Sequence, residues 1–198
     1  MPRLVLASAS PRRRQLLAEL GLHFEIRPSD VDESSLPGES PAAMVERLAR
    51  VKAGARLEPG ELVLAADTIV VNDGRILGKP ADEADARAML AAIAGRDHDV
   101  FTGVAVAWLA DRGGEPRVAA RVDRTVVRMR ALDAGEIAAY VATGEPLDKA
   151  GAYGIQGLGA LCVASIVGNY TNVVGLPLPT AADCFADLGF ALRDFSQC

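Results

Sequence analysis

Hydrophobic positions occur along this chain with two kinds of spacing, and each kind predicts one type of element. Short apolar or alternating runs predict strands at residues 3–7, 24–26, 62–66, 69–71, 98–109, 118–129 and 161–167. Apolar positions at helical spacing predict helices at residues 11–20, 41–57, 83–93, 134–142 and 180–188. The two longest strands are expected to form a hairpin with its turn at residues 111–114, and the strand at 161–167 is expected to be buried.

The stretch from residue 62 to residue 79 contains a polar interruption in an apolar run. Asp67 and Thr68 separate two segments that are predicted to be buried, and a buried carboxylate costs free energy unless it is paired, hydrogen-bonded or bound to a metal. A structural Asp at a bulge or strand end is an equally good interpretation. The Asn-Asp-Gly turn at residues 72–74 predicts a hairpin that brings Lys79 towards the level of Asp67. This pair is therefore a candidate site for a charged substrate.

A second candidate site follows the first strand, where a hydroxyl-rich loop leads into a helix with three arginines. Ser10 is the predicted N-cap, and residues 12–14 are all Arg. Helix N-termini favour anions, and guanidinium groups bind phosphate in a bidentate manner. A solvated basic helix end is the alternative. Because cations oppose the dipole at a helix N-terminus, the cluster favours an anionic partner.

Three further features allow more than one interpretation. Lys52 lies on the apolar stripe of its predicted helix, so its ammonium either extends to solvent or faces a substrate. The acidic loop at residues 28–41 is either solvated or contributes a metal ligand. The glycine-rich segment at residues 147–159 is either a plain surface loop or a place where the backbone approaches a ligand closely.

Composition limits the class of protein. The 198 residues fit a single domain over residues 1–198, and 50% of them are hydrophobic, enough for a sizeable core. The net charge of −5 argues against a broad nucleic-acid-binding face. The three cysteines, Cys162, Cys184 and Cys198, form no disulfide or zinc pattern. The first apolar run is too short for a signal peptide or a membrane span, so we expect a cytoplasmic protein without membrane or nucleic-acid partners.

Several motifs, taken together, resemble one known family over nearly the whole chain. They are LASASPRR, LAADTIVV followed by GKP, LDKAGAYGIQGLGA and NVVGLPL, and in this order and spacing they are similar to the Maf nucleoside triphosphate pyrophosphatases. The resemblance implies an α/β fold with a mixed twisted sheet and flanking helices, in two lobes around a central cleft as in inosine triphosphatases. It also implies a cytoplasmic enzyme that is often a homodimer.

The resemblance implies an activity and a set of site residues. Family members cleave a nucleoside triphosphate between its α and β phosphates, with a divalent cation such as Mg²⁺ or Mn²⁺. The catalytic proton acceptor falls on Asp67, and the characteristic substrate-binding positions fall on Ser8, Arg13, Glu33, Lys52 and Lys79. The specificity positions fall on Arg12, Thr68 and Gln156, a combination similar to the branch that acts on dTTP and UTP rather than on 7-methylguanosine triphosphate.

The chemistry of these residues agrees with the implied reaction. The basic side chains can neutralise the triphosphate, and Glu33 and Asp67 can share or exchange the roles of metal ligand and base. The Gln156 amide offers both a donor and an acceptor, enough to pair with O4 and N3–H of a pyrimidine. The family also implies exclusion of non-standard nucleotides from nucleic acids and a role in cell-division arrest. A nucleotide-binding regulator without catalysis and a nucleic-acid-binding module are the competing hypotheses.

Overall fold

The computed structural model describes residues 2–110 and 114–196. Its strands are β1 (Arg3–Leu6), β2 (Glu25–Ile26), β3 (Glu61–Asn72), β4 (Arg75–Leu77), β5 (Asp97–Leu109), β6 (Arg117–Met129) and β7 (Val163–Val167). Its α-helices are α1 (Pro11–Glu19), α2 (Pro41–Gly54), α3 (Glu83–Ile93), α4 (Ala134–Ala142), α5 (Tyr170–Val174) and α6 (Leu178–Asp187). Short 3₁₀ helices span Glu145–Asp148, Ala150–Ala152, Gly157–Cys162 and Leu192–Phe195.

Within these residues, seven strands form a mixed sheet in the order β2-β1-β3-β5-β6-β7, with β4 paired to β3. Strand β1 is parallel to β2 and to β3, whereas β4 is antiparallel to β3 and β7 is antiparallel to β6. The predicted α/β fold with a mixed sheet and flanking helices is confirmed. The turn between β5 and β6 was predicted at residues 111–114, of which 111–113 lie outside the described residues.

The chain divides into two compact units, and one of the boundaries between them is the peptide between Asp67 and Thr68. Unit 1 comprises Met1–Asp67, Thr102–Asp123 and Gly175–Cys198, and unit 2 comprises Thr68–Phe101 and Arg124–Val174. Each unit has buried apolar residues of its own. That the two form lobes around a cleft stays a prediction.

In unit 1, helix α2 lies against the sheet at very short range. A Cβ added to Gly103 of β5 would lie 2.1 Å from the carbonyl oxygen of Val45 in α2, so only glycine fits there. The side chains that fill this contact are small, and they include Ala49, Ala53, Ala65, Ala105 and Ala107. The close packing brings one face of α2 directly onto β3 and β5.

In unit 2, the predicted hairpin after β3 is present. Asn72 pairs with Arg75, and the two residues between them, Asp73 and Gly74, have φ values of 49° and 78°. Positive φ at both central residues is what a two-residue hairpin turn requires. Helices α3 and α4 pack into a core with the buried side chains of Val100, Val127 and Met129.

Three predictions about elements need correction. The strand predicted at residues 161–167 begins at Val163 and is not buried, because β7 is the last strand in the sheet order and pairs with β6 alone. Leu161 and Val167 are 68% and 74% exposed. Helix α2 ends at Gly54 rather than at residue 57. The glycine-rich segment at residues 147–159 is not a plain loop but contains 3₁₀ turns.

Two findings concern the environment of the protein. Cys162 and Cys184 are free thiols in buried positions, whereas Cys198 lies outside the described residues. Among the described residues, no helix has both the length and the apolar composition needed to cross a membrane.

Candidate active site

Asp67 lies inside strand β3 and not at a break in it. The strand continues from Glu61 to Asn72, so Asp67 and Thr68 do not separate two segments as the sequence pattern had predicted. The Asp67 side chain is buried, with 6% of the residue exposed. Its Oδ1 accepts a hydrogen bond of 2.6 Å from the ammonium of Lys52. The carboxylate is therefore compensated by a buried opposite charge, and it does not mark a strand end.

Lys52 supplies that charge from helix α2. It follows Leu48 and Ala49 on the buried face of the helix, and only 8% of the residue is exposed. Its Nζ lies 2.6 Å from Oδ1 of Asp67 and 2.7 Å from Oε1 of Glu33. Of the two interpretations of Lys52, extension to solvent is wrong. The ammonium instead brings two carboxylates to one point.

Glu33 reaches Lys52 from the acidic loop before α2, and the course of that loop is fixed by Arg47. Arg47 Nη2 donates to the carbonyl oxygen of Ser34 at 3.0 Å, and its Nε donates to Oε1 of Glu39 at 2.6 Å. The hydrogen bonds from Arg47 lower the pKa of Glu39. Sequence reasoning missed this pair, because no spacing rule relates a helix residue to the loop that folds over it.

Ser8 and Arg13 lie next to the same stretch of β3. Arg13 Nη1 donates to Oγ of Ser8 at 3.1 Å and to the carbonyl oxygen of Ala66 at 2.8 Å. Its Nε donates to the carbonyl oxygen of Gly175 at 2.7 Å. Burial lowers the pKa of Arg13, although the negative charges of Asp67 and Glu33 act in the opposite direction. Arg13 therefore joins the loop after β1 to the residue that precedes Asp67.

The predicted N-terminal cap of α1 is present, with Ser10 accepting a hydrogen bond from the backbone N–H of Arg13. The three arginines of this turn differ in environment. Arg12 and Arg13 are half-buried, whereas Arg14 is exposed. The sequence predicted a single cluster of three arginines, whereas in the structure Arg14 is more exposed than Arg12 and Arg13.

The remaining predicted site residues, Thr68, Lys79 and Gln156, belong to unit 2. Lys79 is exposed and follows β4 by two residues, so continuing the register of β3 and β4 would place it opposite Thr68. The preceding Gly78 accepts a hydrogen bond of 3.0 Å from the N–H of Gly151, at the start of the glycine-rich segment. Gln156 precedes the 3₁₀ helix Gly157–Cys162, and its side chain does not cap that helix.

Glu33 and Asp67, which both contact Lys52, are the residues of this site that could hold a divalent cation. Oxygen atoms of Glu33 and Asp67 already converge on a positive charge, and carboxylate oxygens are the ligands that Mg²⁺ and Mn²⁺ prefer. Across residues 2–110 and 114–196, no group of three or more His, Cys, Asp or Glu side chains is arranged to hold a metal. Two carboxylates suffice for a cation that substrate phosphates and water also coordinate.

Known proteins resemble this chain over nearly its whole length. A family model described as Maf-like protein matches residues 3–188. A dTTP/UTP pyrophosphatase of Moorella thermoacetica is 58% identical over 191 residues, which cover 96% of this chain and 96% of that protein. Proteins of the same name from Anaeromyxobacter sp. strain Fw109-5 and Symbiobacterium thermophilum are 54% and 50% identical, covering 96% and 97% of this chain and 91% and 97% of their own lengths. The chain therefore belongs to the Maf family.

Proposed function

We propose that this chain hydrolyses dTTP and UTP between the α and β phosphates, giving the nucleoside monophosphate and pyrophosphate. The observation that carries the proposal is the buried ion pair of Asp67 and Lys52, to which the exposed Glu33 is also bonded, in a chain whose relatives are named dTTP/UTP pyrophosphatase. A nucleotide-binding regulator without catalysis would keep the basic residues but need not keep Asp67 at this point of β3. In the terms of enzyme classes, the protein would be a hydrolase of phosphoric anhydride bonds, a nucleoside triphosphate diphosphatase.

Asp67 is the proposed proton acceptor. Lys52 hydrogen-bonds Oδ1 of its carboxylate, so the second oxygen, Oδ2, is the atom we assign to the attacking water. A base that is held by a buried hydrogen bond needs little reorganisation when it takes the proton. The water oxygen then attacks phosphorus, and the pyrophosphate group leaves with the electron pair of the broken bond.

The other predicted residues bind the substrate in this proposal. The Ser8 hydroxyl and the basic groups would neutralise the phosphates, and repulsion between the polyanion and the nucleophile is a main obstacle to hydrolysis. The basic groups are Arg12, Arg13, Lys52 and Lys79. Arg12, Thr68 and Gln156 would distinguish the pyrimidine base from other bases.

A divalent cation, Mg²⁺ or Mn²⁺, is proposed as the cofactor, with Glu33 and Asp67 as its protein ligands. When bound, it would supply positive charge that offsets the negative charge of the phosphate groups. Chelation with EDTA should abolish pyrophosphate release, and added Mg²⁺ or Mn²⁺ should restore it. Mn²⁺ binding, followed by electron paramagnetic resonance, should weaken in Glu33→Gln. Full turnover in EDTA would contradict the metal requirement.

The decisive experiment is a turnover screen across nucleoside triphosphates. Pyrophosphate release should be fastest with UTP and dTTP and slower with CTP, GTP and 7-methylguanosine triphosphate. Gln156→Ala should narrow the preference for UTP over GTP by about tenfold, because it removes one satisfied base contact worth roughly 1–3 kcal/mol. Binding of UTP without release of pyrophosphate would instead support a nucleotide-binding regulator.

The biological setting is part of the same proposal. Hydrolysis of modified pyrimidine triphosphates would keep them out of nucleic acids, and cell-division arrest would be a consequence of altered nucleotide pools. We place the reaction in the cytoplasm, where free thiols such as those of Cys162 and Cys184 persist. A homodimer stays a prediction that light scattering in solution can test.

A further inference from the structure

Residues 154–159 form a short closed segment with Gln156 inside it, here called the Gln156 loop. Its two ends lie close together, since a Cβ added to Gly159 would lie 2.2 Å from the carbonyl oxygen of Gly154 and 2.4 Å from the hydroxyl oxygen of Tyr140. Gly157 has a φ of +65°, which favours glycine. The segment therefore has a defined backbone course, although its sequence reads as a flexible glycine-rich stretch.

Two side chains from outside the Gln156 loop bind its backbone. The Glu145 carboxylate accepts hydrogen bonds from the N–H of Leu158 through Oε2 and from the N–H of Gly159 through Oε1, both at 3.0 Å. The Tyr140 hydroxyl donates to Oε1 of Glu145 at 2.9 Å and accepts from the N–H of Gly154 at 3.3 Å. Three backbone N–H groups that flank Gln156, one before it and two after it, thus donate to the Glu145 carboxylate or the Tyr140 hydroxyl. These two acceptor groups are themselves hydrogen-bonded to each other.

The charge state of Glu145 fits this role. Partial burial alone would raise its pKa, but the hydrogen bonds from Gly159, Leu158 and Tyr140 outweigh burial and lower the pKa. Glu145 is therefore ionised at neutral pH and accepts all three bonds. Charge-assisted hydrogen bonds of this kind are stronger than neutral ones. The Glu145 carboxylate also packs closely against the Gln156 loop, since a Cβ added to Gly157 would lie only 2.9 Å from Oε2 of Glu145.

We propose that Glu145, supported by Tyr140, is a positioning residue that sets the discrimination between pyrimidine and purine triphosphates. The inference rests on the proposed role of Gln156 in reading the base. The Gln156 side chain does not cap the following helix, so the backbone of the Gln156 loop determines where its amide points. An amide that distinguishes bases must be held to within about 0.5 Å of its productive position, and the Glu145 hydrogen bonds supply that restraint.

The test compares selectivity and not activity alone. Glu145→Gln keeps the size of the side chain but replaces one acceptor oxygen by an amide that faces backbone donors. The UTP-to-GTP ratio of kcat/KM should fall about tenfold, which corresponds to about 1.4 kcal/mol. Tyr140→Phe, which removes one oxygen atom, should lower the ratio by a smaller factor. Glu83→Gln, which changes an exposed carboxylate bonded to Arg87 in the same unit, is the matched control and should leave the ratio unchanged.

The outcomes separate this inference from the proposed function. An equal loss of kcat/KM with both nucleotides would mean a purely structural role and would overturn the inference. An unchanged UTP-to-GTP ratio in Glu145→Gln, alongside a narrowed ratio in Gln156→Ala, would also overturn the inference. An unchanged ratio in Gln156→Ala would instead remove the proposed reading of the base by Gln156. If Glu145→Gln does not fold, the ratio measured for Tyr140→Phe decides the matter.

Discussion

Replacing Asp67 by Asn is the sharpest perturbation of the proposed mechanism. The change keeps the shape of the side chain and an oxygen that can accept the hydrogen bond from Lys52, but it removes the basic carboxylate. If Asp67 takes the proton from the attacking water, turnover should fall by about 10²–10⁴-fold. Binding of UTP should persist, because a negative charge that repels the triphosphate is removed.

The effect of this substitution on stability can be worked out from the ion pairs of Lys52. A carboxylate without a partner would destabilise the fold, and its removal would then be favourable. Asp67 is not in that position, since Lys52 Nζ lies 2.6 Å from it in a buried setting. Breaking a buried pair costs about 3–5 kcal/mol, but Lys52 keeps Glu33 at 2.7 Å and gains a neutral acceptor. We therefore expect a loss of about 1–3 kcal/mol, with the protein still folded.

Glu61→Gln is the matched control for Asp67→Asn. Glu61 is also a fully buried carboxylate of strand β3, paired with Arg27 at 2.8 Å and Arg3 at 2.6 Å. It precedes Asp67 by six residues, which is about 20 Å along a strand. The Glu61→Gln protein should lose a comparable amount of stability but keep the wild-type turnover per folded molecule.

Three measurements are needed for each of these two proteins. They are urea denaturation, calorimetric binding of UTP, and release of pyrophosphate from UTP with Mg²⁺ present. The expected result is an Asp67→Asn protein that is folded, binds UTP and is inactive, beside a Glu61→Gln protein that is less stable but active. If Asp67→Asn releases pyrophosphate near the wild-type rate per folded molecule, Asp67 is not the base.

Three more predictions concern charge, packing and pH. Lys52→Ala and Lys79→Ala should both reduce turnover. In urea denaturation only Lys52→Ala should lower the free energy of unfolding, by about 3 kcal/mol, because Lys52 is buried and paired whereas Lys79 is exposed. Gly103→Ala should destabilise the protein by about 3 kcal/mol, because its Cβ would collide with the backbone of α2. Gly54→Ala has open space around its Cβ position and should not destabilise the protein. Equal melting curves for the two variants would contradict the close packing of α2. Burial lowers the pKa of His98 from 6.5 to about 4. The contribution of the neutral imidazole to the free energy of unfolding is therefore complete above pH 6.5 and is lost as the pH falls towards 4. Between pH 7 and pH 5 this amounts to about 2 kcal/mol, and the stability of His98→Gln should depend less on pH over that range.

Features determined by neighbouring residues were predictable from the sequence. The Asp-Gly turn after β3 and the Ser10 cap of α1 each depend on a few consecutive residues, and both are present. Their energies come from contacts that one turn of chain can make alone. The family resemblance added the prediction that certain of the polar positions belong to one site.

Features determined by distant residues were not predictable in the same way. The run at residues 161–167 is apolar whether its strand lies at the centre or at the edge of a sheet, and only the strand order shows that β7 is an edge strand. Lys52 and Asp67 lie 15 residues apart, and their contact depends on how closely α2 approaches β3. Gly103 permits that approach, and as one glycine in a strand pattern it gave no such signal.

The balance of charge within unit 1 explains why the proposed reaction calls for a divalent cation. Lys52 holds the carboxylates of Asp67 and Glu33 at one point, where the two would otherwise repel each other, and the guanidinium of Arg13 lies within their electrostatic influence. Two carboxylates and two cations leave these four groups without net charge, so they cannot by themselves neutralise a triphosphate. A divalent cation bound to the same carboxylates would add the missing positive charge beside the phosphates. In this proposal, the carboxylates that pair with Lys52 in the absence of substrate are the ones that would hold the cation.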